Sequence, residues 1–384
     1  MAETRIPFAK PSIDVGDIEA VVETLRSGWL TTAGRTKAFE EELAAYTGAR
    51  FVNAVNSATA ALHLALAAWD IGPGDEVITT PYTFSATATV VVHCGAEPVF
   101  VDVRESDANI DPELIERAIT PRTKAIIPVH IAGEPCDMDA IMEIARRKNL
   151  KVLEDAAHAI GTMYRGRQVG SLSDAAAFSF YANKTMTTGE GGALATDDEA
   201  LSERVRMLTL HGMTKDAWNR YDAGGSWRYD IREFGFKYNL TDIGAALGRS
   251  QLQRLESFIE ERTRVAQRYF ANLRDEEHLI LPSFNEEHRH PWHLFMVRVK
   301  NETSPVARDD VIRKLGERGI GTSVHFIPLH YHTAYKNLGR WQKGDFPVAE
   351  RLFEGALSLP MYPELTDAEV DQVCRALREI LAGG

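Results

Sequence analysis

Short apolar runs alternate with helical patterns along the first part of the chain. The runs are Phe51–Val55, Val77–Thr79, Pro98–Val103, Lys124–Val129 and Lys151–Leu153. The runs before Lys151 alternate with segments that have helical spacing of their apolar residues, of about ten residues in most cases. This alternation is typical of a mostly parallel, doubly wound sheet with helices on both faces. The sequence therefore predicts an α/β fold for this part of the chain.

The pattern changes in the last third of the 384 residues. Trp292 to Val299 alternates apolar and polar residues, as a strand with one wet face does. Val306–Arg318 and Asp367–Leu381 have amphipathic helical patterns. We predict a smaller C-terminal α+β domain. The expected division runs through one long helix, Ile243–Leu273, and gives a large domain of residues 1–250 with an N-terminal lead segment and a small domain of residues 251–384.

Charge and cysteine content argue against several classes of protein. The net charge of −12 opposes a duplex-binding surface, because phosphate contacts need clustered Lys and Arg. The three cysteines lie far apart without metal or disulfide spacing, and the histidines near the C-terminus have no acidic or cysteine partner among them. No signal-like segment or membrane-length apolar run is present. We expect a cytoplasmic protein with no metal, nucleic-acid or membrane partner.

An acid, a hydroxyl and an amine follow the ends of two neighbouring runs. Asp155 ends the run that begins at Lys151, Ser179 ends a second apolar run, and Lys184 follows in a loop. Ligands of open α/β sheets bind beyond the carboxyl ends of the strands. This trio suits pyridoxal 5′-phosphate (PLP), which needs a lysine for its Schiff base and a carboxylate against its pyridine nitrogen. Taken alone, the lysine could be solvated and the acid could be a helix cap.

A second anion-binding feature lies earlier in the chain. The strand at Phe51–Val55 is followed by a small polar turn with Ser57, Ala58 and Thr59, and then by a helix. The first amides of a helix lack internal partners and attract anions, although Ser57 could simply cap the helix. Phe84 follows the next strand end, where an aromatic face could stack on a planar cofactor.

These residues belong to a wider set of matching motifs. They include SGWLTT, NSATAALHLAL, GPGDEVITTPYTF, EDAAHAIG, FSFYANKTMTTGEGGAL, KYNLTDIGAALG and WHLF. With these motifs the chain resembles, almost end to end, the DegT/StrS family of sugar aminotransferases. The resemblance implies the fold type I architecture of PLP-dependent transferases, with a large and a small domain.

The resemblance also implies roles for individual residues. Lys184 would form the internal aldimine, Asp155 would bond the pyridine nitrogen, and His158 would lie near the ring hydroxyl. The phosphate would be bound by Ser179 and by the amides of Ala58 and Thr59, next to Ser57, and Phe84 would stack on the ring. Asn239 would reach the phosphate in the partner subunit. A homodimer with shared active sites is therefore expected.

The implied reaction is a ping-pong transamination through pyridoxamine phosphate (PMP). The amino donor would be L-glutamate, with 2-oxoglutarate as its product, and the acceptor a nucleotide-linked keto sugar. Lys184 stands where a dehydratase branch of the family has His, which favours transamination. Several segments look most like the UDP-4-amino-4-deoxy-L-arabinose aminotransferases, which suggests a UDP-4-keto sugar. Alternatives are another 3- or 4-keto sugar nucleotide or cyclitol, a PLP- or PMP-dependent sugar dehydratase, and a cofactor-bound regulator without catalysis.

The substrate contacts are harder to predict than the cofactor contacts. Residues 213–236 are polar and aromatic with scattered glycines, and we interpret them as a functional loop. The diphosphate of a nucleotide sugar needs cations, and the candidates are Arg228, Arg232, Lys237 and His325. Trp29 and Thr31 are further candidate substrate contacts.

Overall fold

The computed structural model describes residues 5–214 and 229–383. The helices of this part are α1 (Val15–Ser27), α2 (Gly34–Thr47), α3 (Ala58–Ala68), α4 (Ala86–His93), α5 (Pro112–Ala118), α6 (Met138–Lys148), α7 (Glu199–Thr209), α8 (Asp242–Gln253), α9 (Leu255–Leu273), α10 (Arg308–Glu317), α11 (Thr333–Lys336), α12 (Pro347–Gly355) and α13 (Asp367–Leu381). The strands are β1 (Phe51–Val55), β2 (Glu76–Thr79), β3 (Glu97–Phe100), β4 (Thr123–Ile126), β5 (Lys151–Asp155), β6 (Met163–Tyr164), β7 (Arg167–Gln168), β8 (Ala175–Ser179), β9 (Gly192–Thr196), β10 (Leu279–Ile280), β11 (Phe295–Val299) and β12 (Ala356–Leu359).

A seven-stranded sheet forms the centre of the large part. Its order is β1-β9-β8-β5-β4-β2-β3, and every strand but β9 runs in the same direction. The middle strands β5, β8 and β9 are almost fully buried, because helices cover both faces. The predicted mostly parallel α/β fold is confirmed. Because β4, β5 and β8 are parallel neighbours, their carboxyl ends lie at the same edge of the sheet.

Helix α3 is apolar on nearly all sides and packs between the sheet and the helices α4 and α7. A helix that is hydrophobic all round must be buried, and nine of its eleven residues are. Its N-terminus points at the same edge of the sheet, since β1 ends at Val55, only a short turn before Ala58. The sequence NSATA thus places free helix amides next to the ends of β5 and β8.

The C-terminal part builds a second, smaller layer. Strands β10, β11 and β12 form an antiparallel sheet that packs, with α9, α10 and α13, around a separate apolar core. Core members include Val265, Phe295, Leu357 and Leu377. The N-terminal Ile6 is buried in this core and forms a bridge with Ile320. The predicted smaller α+β part is confirmed.

The single long helix predicted for Ile243–Leu273 is wrong, because the helix breaks at Arg254. Helix α8 packs against α1 and α2, whereas α9 packs against α13 in the smaller part. The Arg254 guanidinium pairs with Asp14 at 3.1 Å and with Asp17, which anchors the break to α1. Two different packing partners override the continuous helical pattern. The division after residue 250 stays a prediction.

No helix formed by the described residues is long and apolar enough to cross a membrane. In the same residues, no group of three or more His, Cys, Asp or Glu side chains could hold a metal ion.

Candidate active site

A cavity of about 510 Å³ opens at the carboxyl edge of the large sheet. The strand ends of β5 and β8 and the N-terminus of α3 form its floor, and His293, His325 and Phe326 from the smaller part form its opposite wall. Nine of the residues predicted from sequence line it: Ser57, Ala58, Thr59, Phe84, Asp155, His158, Ser179, Lys184 and His325. Residues far apart in the sequence thus meet at the edge where open α/β sheets bind ligands.

Lys184 follows β8 in a tight turn, in which its backbone N–H donates to the carbonyl of Tyr181 at 3.0 Å. Burial lowers the pKa of its amine to about 8, while the nearby Asp155 carboxylate acts in the opposite direction. A solvated lysine keeps a pKa of about 10.4. At pH 7 roughly a tenth of Lys184 is therefore neutral, far more than of a solvated lysine, and the neutral amine is the nucleophile.

Asp155 ends β5 and is buried, 6% exposed. Burial raises the pKa of its carboxyl group, and two hydrogen bonds oppose that shift. The Thr87 hydroxyl donates to Oδ2 at 2.7 Å, and the backbone N–H of Ala157 donates to Oδ1 at 3.2 Å. An ionised carboxylate has about four acceptor positions. Both oxygens can therefore still accept a hydrogen bond from a cationic ring N–H in the cavity.

His158 faces the cavity as a neutral donor. The backbone N–H of Ala132 donates to its Nδ1 at 3.2 Å, so Nδ1 carries no proton. Burial lowers the pKa of His158 well below its usual value, so the ring is neutral and its proton lies on Nε2. The ring lies 4.4 Å from the ring of His293 and is stacked on Phe326 at 5.9 Å. These neighbours fix the direction in which Nε2–H points.

The N-terminus of α3 also lines the cavity. The Ser57 hydroxyl caps α3 by accepting from the backbone N–H of Ala60 at 3.1 Å. The amides of Ala58 and Thr59 precede the first intrahelical bond and stay free for an anion. A Cβ on Gly192 would lie 2.4 Å from the carbonyl carbon of Ser57, so only glycine lets β9 approach this turn.

These groups match the chemistry of the parts of PLP. The helix amides suit the phosphate, the Asp155 carboxylate suits a protonated pyridine nitrogen, and the Lys184 amine suits the aldehyde. The His158 Nε2–H suits the ring hydroxyl oxygen, and the exposed Phe84 ring offers an apolar face.

Other predicted contacts lie away from this cavity. Trp29, Thr31 and Lys237 are exposed and do not line it. Asn239 does not line it either, and its Nδ2 donates to the Thr32 hydroxyl at 2.7 Å. Arg232 is exposed and also lies outside the lining. Arg228 falls outside the described residues, as does much of the predicted functional loop.

Several lining residues were not predicted from the sequence. They are Thr83, Tyr181, Asn183, Glu190, His293 and Phe326, among others. Thr87, which bonds Asp155, was also missed. His293 lies in the quoted motif WHLF, and Tyr181 and Asn183 lie in FSFYANK, so the signal was in the motifs. Helical and strand patterns alone do not show which residue of a motif faces a cavity.

Known proteins match this chain over nearly its whole length. The DegT/DnrJ/EryC1/StrS aminotransferase family matches residues 11–378. The spore coat polysaccharide biosynthesis protein SpsC of Bacillus subtilis is 49% identical over 379 residues, which cover 98% of this chain and 97% of SpsC.

Solved structures agree with the fold. Spr1654 of Streptococcus pneumoniae in its PMP form superposes with a TM-score of 0.93 at 37% identity, covering 98% of this chain and 99% of that one. The same protein has also been solved in its PLP form. PseC of Helicobacter pylori, an aminotransferase involved in the biosynthesis of pseudoaminic acid, gives 0.91 at 29% identity, covering 99% of this chain and 100% of PseC.

The expected fold type I architecture, the PLP cofactor with its PMP form, and the aminotransferase activity are confirmed by these matches. The chain belongs to the DegT/DnrJ/EryC1/StrS aminotransferase family and is a PLP-dependent sugar aminotransferase.

Proposed function

We propose that this enzyme moves an amino group from L-glutamate to a nucleotide-linked keto sugar, with a UDP-4-keto sugar as the first candidate. The observation that carries the proposal is the meeting of Lys184 and Asp155 at one cavity, opposite free helix amides. An amine, a carboxylate and an anion site in this arrangement match the three polar parts of PLP. The relatedness to SpsC, a polysaccharide biosynthesis protein, supports a sugar substrate.

PLP supplies, when bound, an aldehyde that condenses with amines and a cationic ring that accepts electrons. We propose that the Ala58 and Thr59 amides and Ser179 hold its phosphate, beside Ser57, and that Phe84 packs on its ring. Asp155 keeps the pyridine nitrogen protonated. Two unit charges about 4 Å apart attract by roughly 4 kcal/mol at an effective dielectric of about 20, which corresponds to about three pKa units before desolvation.

Lys184 is the proposed base of both half-reactions. Its amine, with a pKa lowered to about 8, can accept a proton from the Cα of the amino acid and return it at the acceptor carbon. The neutral His158 donates a hydrogen bond from Nε2 and does not compete for that proton, because burial holds its pKa far below neutral.

The partner subunit is proposed to complete the site. Asn239 lies outside the cavity of its own chain, next to Thr32, and a backbone bridge to Val55 holds it close to the turn before α3. We propose a homodimer in which Asn239 of one chain reaches the phosphate in the other. The proposed substrate contacts are Trp29, Thr31, Arg228, Lys237 and His325. His325 lines the cavity of its own chain. Trp29, Thr31 and Lys237 lie outside that lining, and Arg228 falls outside the described residues. A cytoplasmic location stays a prediction.

Visible absorbance of the purified enzyme tests the proposal. We expect a yellow band that bleaches on addition of L-glutamate and returns when the correct keto sugar nucleotide is added. A band that glutamate leaves unchanged would contradict the donor. Loss of water from the sugar without amine transfer would instead favour a dehydratase, and bound cofactor without turnover on any keto sugar would favour a regulator.

A further inference from the structure

The charge of the cavity is unusual for a site that must hold anionic substrates. Among the described residues that line it, Lys184 is the one Lys or Arg, and it is committed to the chemistry. Two lining side chains, Asp155 and Glu190, are acidic. The three lining histidines do not supply a cation, because burial lowers the pKa of His158, His293 and His325. The described lining of one chain therefore offers an amino donor's carboxylates neutral hydrogen-bond donors and no cation besides Lys184.

Asn183 is the lining residue that offers such a donor next to Lys184. Its Oδ1 is shielded from solvent, and neither Oδ1 nor Nδ2 has a hydrogen-bond partner among the described residues. The donor end of the amide, Nδ2, is not among the shielded unpartnered atoms. Polar side chains in a cavity wall are normally hydrogen-bonded, so a free amide beside the reactive lysine points to a ligand that completes it.

A neutral amide also suits the alternation of two different substrates in one site. A ping-pong enzyme binds a charged amino acid and then a neutral sugar ring at the same place. A buried arginine would lose its counter-charge whenever the sugar is bound, and an unpaired buried charge is strongly unfavourable. An amide can donate to a carboxylate in one half-reaction and to a hydroxyl oxygen in the other without leaving a charge behind.

We propose that the Asn183 amide binds the α-carboxylate of the amino donor in one half-reaction and a sugar hydroxyl next to the carbonyl carbon in the other. This inference rests on the proposed function for the identity of the two substrates. It makes Asn183 a specificity-determining residue, distinct from the groups that hold the cofactor or move the proton.

The test compares Asn183→Asp and Asn183→Ala with the wild-type enzyme. Asp has the shape of Asn but replaces the N–H donor by an anion, which repels a carboxylate and can still accept a bond from a sugar hydroxyl. Asn337→Asp, at an exposed position outside the site, is the control with the same change of charge. The visible band of each variant reports folding and cofactor binding.

Binding is measured first with glutarate, the unreactive dicarboxylate of the same chain length as glutamate, by its effect on the band. We expect Asn183→Asp to raise the Kd of glutarate at least about tenfold and Asn183→Ala about threefold to tenfold, as for loss of a charge-assisted hydrogen bond. Asn337→Asp should leave it unchanged. Equal glutarate affinity in Asn183→Asp and the wild type, or no glutarate binding by the wild type, would overturn the inference.

The two half-reactions are then timed separately. In Asn183→Asp, kcat/KM with glutamate should fall about 100-fold, and kcat/KM with the keto sugar by no more than about fivefold. If Asn183→Asp acted only by perturbing Lys184, both half-reactions would slow by the same factor. That outcome would contradict the proposal. A wild-type enzyme that binds glutarate as expected but aminates no keto sugar would instead refute the proposed function, since the binding result stands without turnover.

Discussion

The floor and the opposite wall of the cavity are built in different ways. The floor consists of strand ends and a helix N-terminus, and its polar groups are already oriented: Thr87 and Ala157 bond Asp155, and Ser57 caps α3. The wall comes from the smaller part, and it has polar atoms without partners, such as Nδ1 of His293. The difference indicates that the strand ends and the helix N-terminus are preorganised for one unchanging cofactor. The side chains with unpartnered polar atoms, His293 on the wall and Asn183 after β8, are the ones we expect to face the alternating substrates.

Among variants of the floor and the wall, Lys184→Ala should show the largest loss of turnover, because it removes the one reactive amine of the floor. We expect turnover to fall by at least about 10³-fold, as a nucleophile and a proton-transfer group are lost together. The measurement is steady-state turnover together with the visible band, which should lose its lysine-linked form. Lys343→Ala, an exposed lysine, is the control. Near wild-type turnover in Lys184→Ala would show that another group is the base.

Gly192→Ala should damage the floor without touching a reactive group. The added Cβ would lie 2.4 Å from the Ser57 carbonyl carbon and 2.5 Å from the Ala58 nitrogen, so the turn before α3 must move. Overpacking of this kind costs about 1–3 kcal/mol. We expect the Kd of PLP to rise about tenfold to 100-fold, measured by titration of the apo-enzyme.

The matched control is Gly34→Ala, where an added Cβ meets nothing within 4 Å. It should leave the PLP affinity unchanged. If Gly192→Ala bound PLP as tightly as the wild type, the turn before α3 would not be the phosphate site.

The pH dependence of cofactor loading should reflect Lys184. Its pKa is lowered to about 8 by burial, so the amine is mostly protonated at pH 7 and mostly neutral at pH 9. Because only the neutral amine attacks an aldehyde, the rate at which apo-enzyme acquires the lysine-linked band should rise about tenfold between these values and then level off. A rate that keeps rising toward pH 10 would indicate a lysine with an ordinary pKa.

His293→Phe should give the smallest effect and should act on the wall alone. Phe keeps an aromatic ring against His158 but removes both nitrogens. We expect KM for one or both substrates to rise about threefold to tenfold, as for loss of one hydrogen bond, and the Kd of PLP to change less than about twofold. An equal loss of PLP affinity would mean that the wall also holds the cofactor, and the distinction between floor and wall would fail.

The residues that meet at the cavity floor were predictable because their chemistry is tied to local patterns. An acid at a strand end, a lysine just after the next strand and a small polar turn before an apolar helix each suggest a role within a few residues of sequence. The wall was less predictable. His293 lies after a loop and before β11, and nothing in its own neighbourhood shows that it packs on His158. The break at Arg254 was missed for a similar reason, since the helical pattern continues through it.

The α/β fold and the residues that meet at the cavity floor could be predicted, because hydrophobic periodicity and short turn motifs act over a few residues and fix where strands end. The family followed from the resemblance of the longer motifs. Which side chains face those strand ends from the other part of the molecule, and which polar groups there are left free, follows only from the folded structure. Those properties depend on packing between segments more than 100 residues apart, as with His158 and His293. No local pattern encodes such a contact, since it exists only when the two cores are folded against each other.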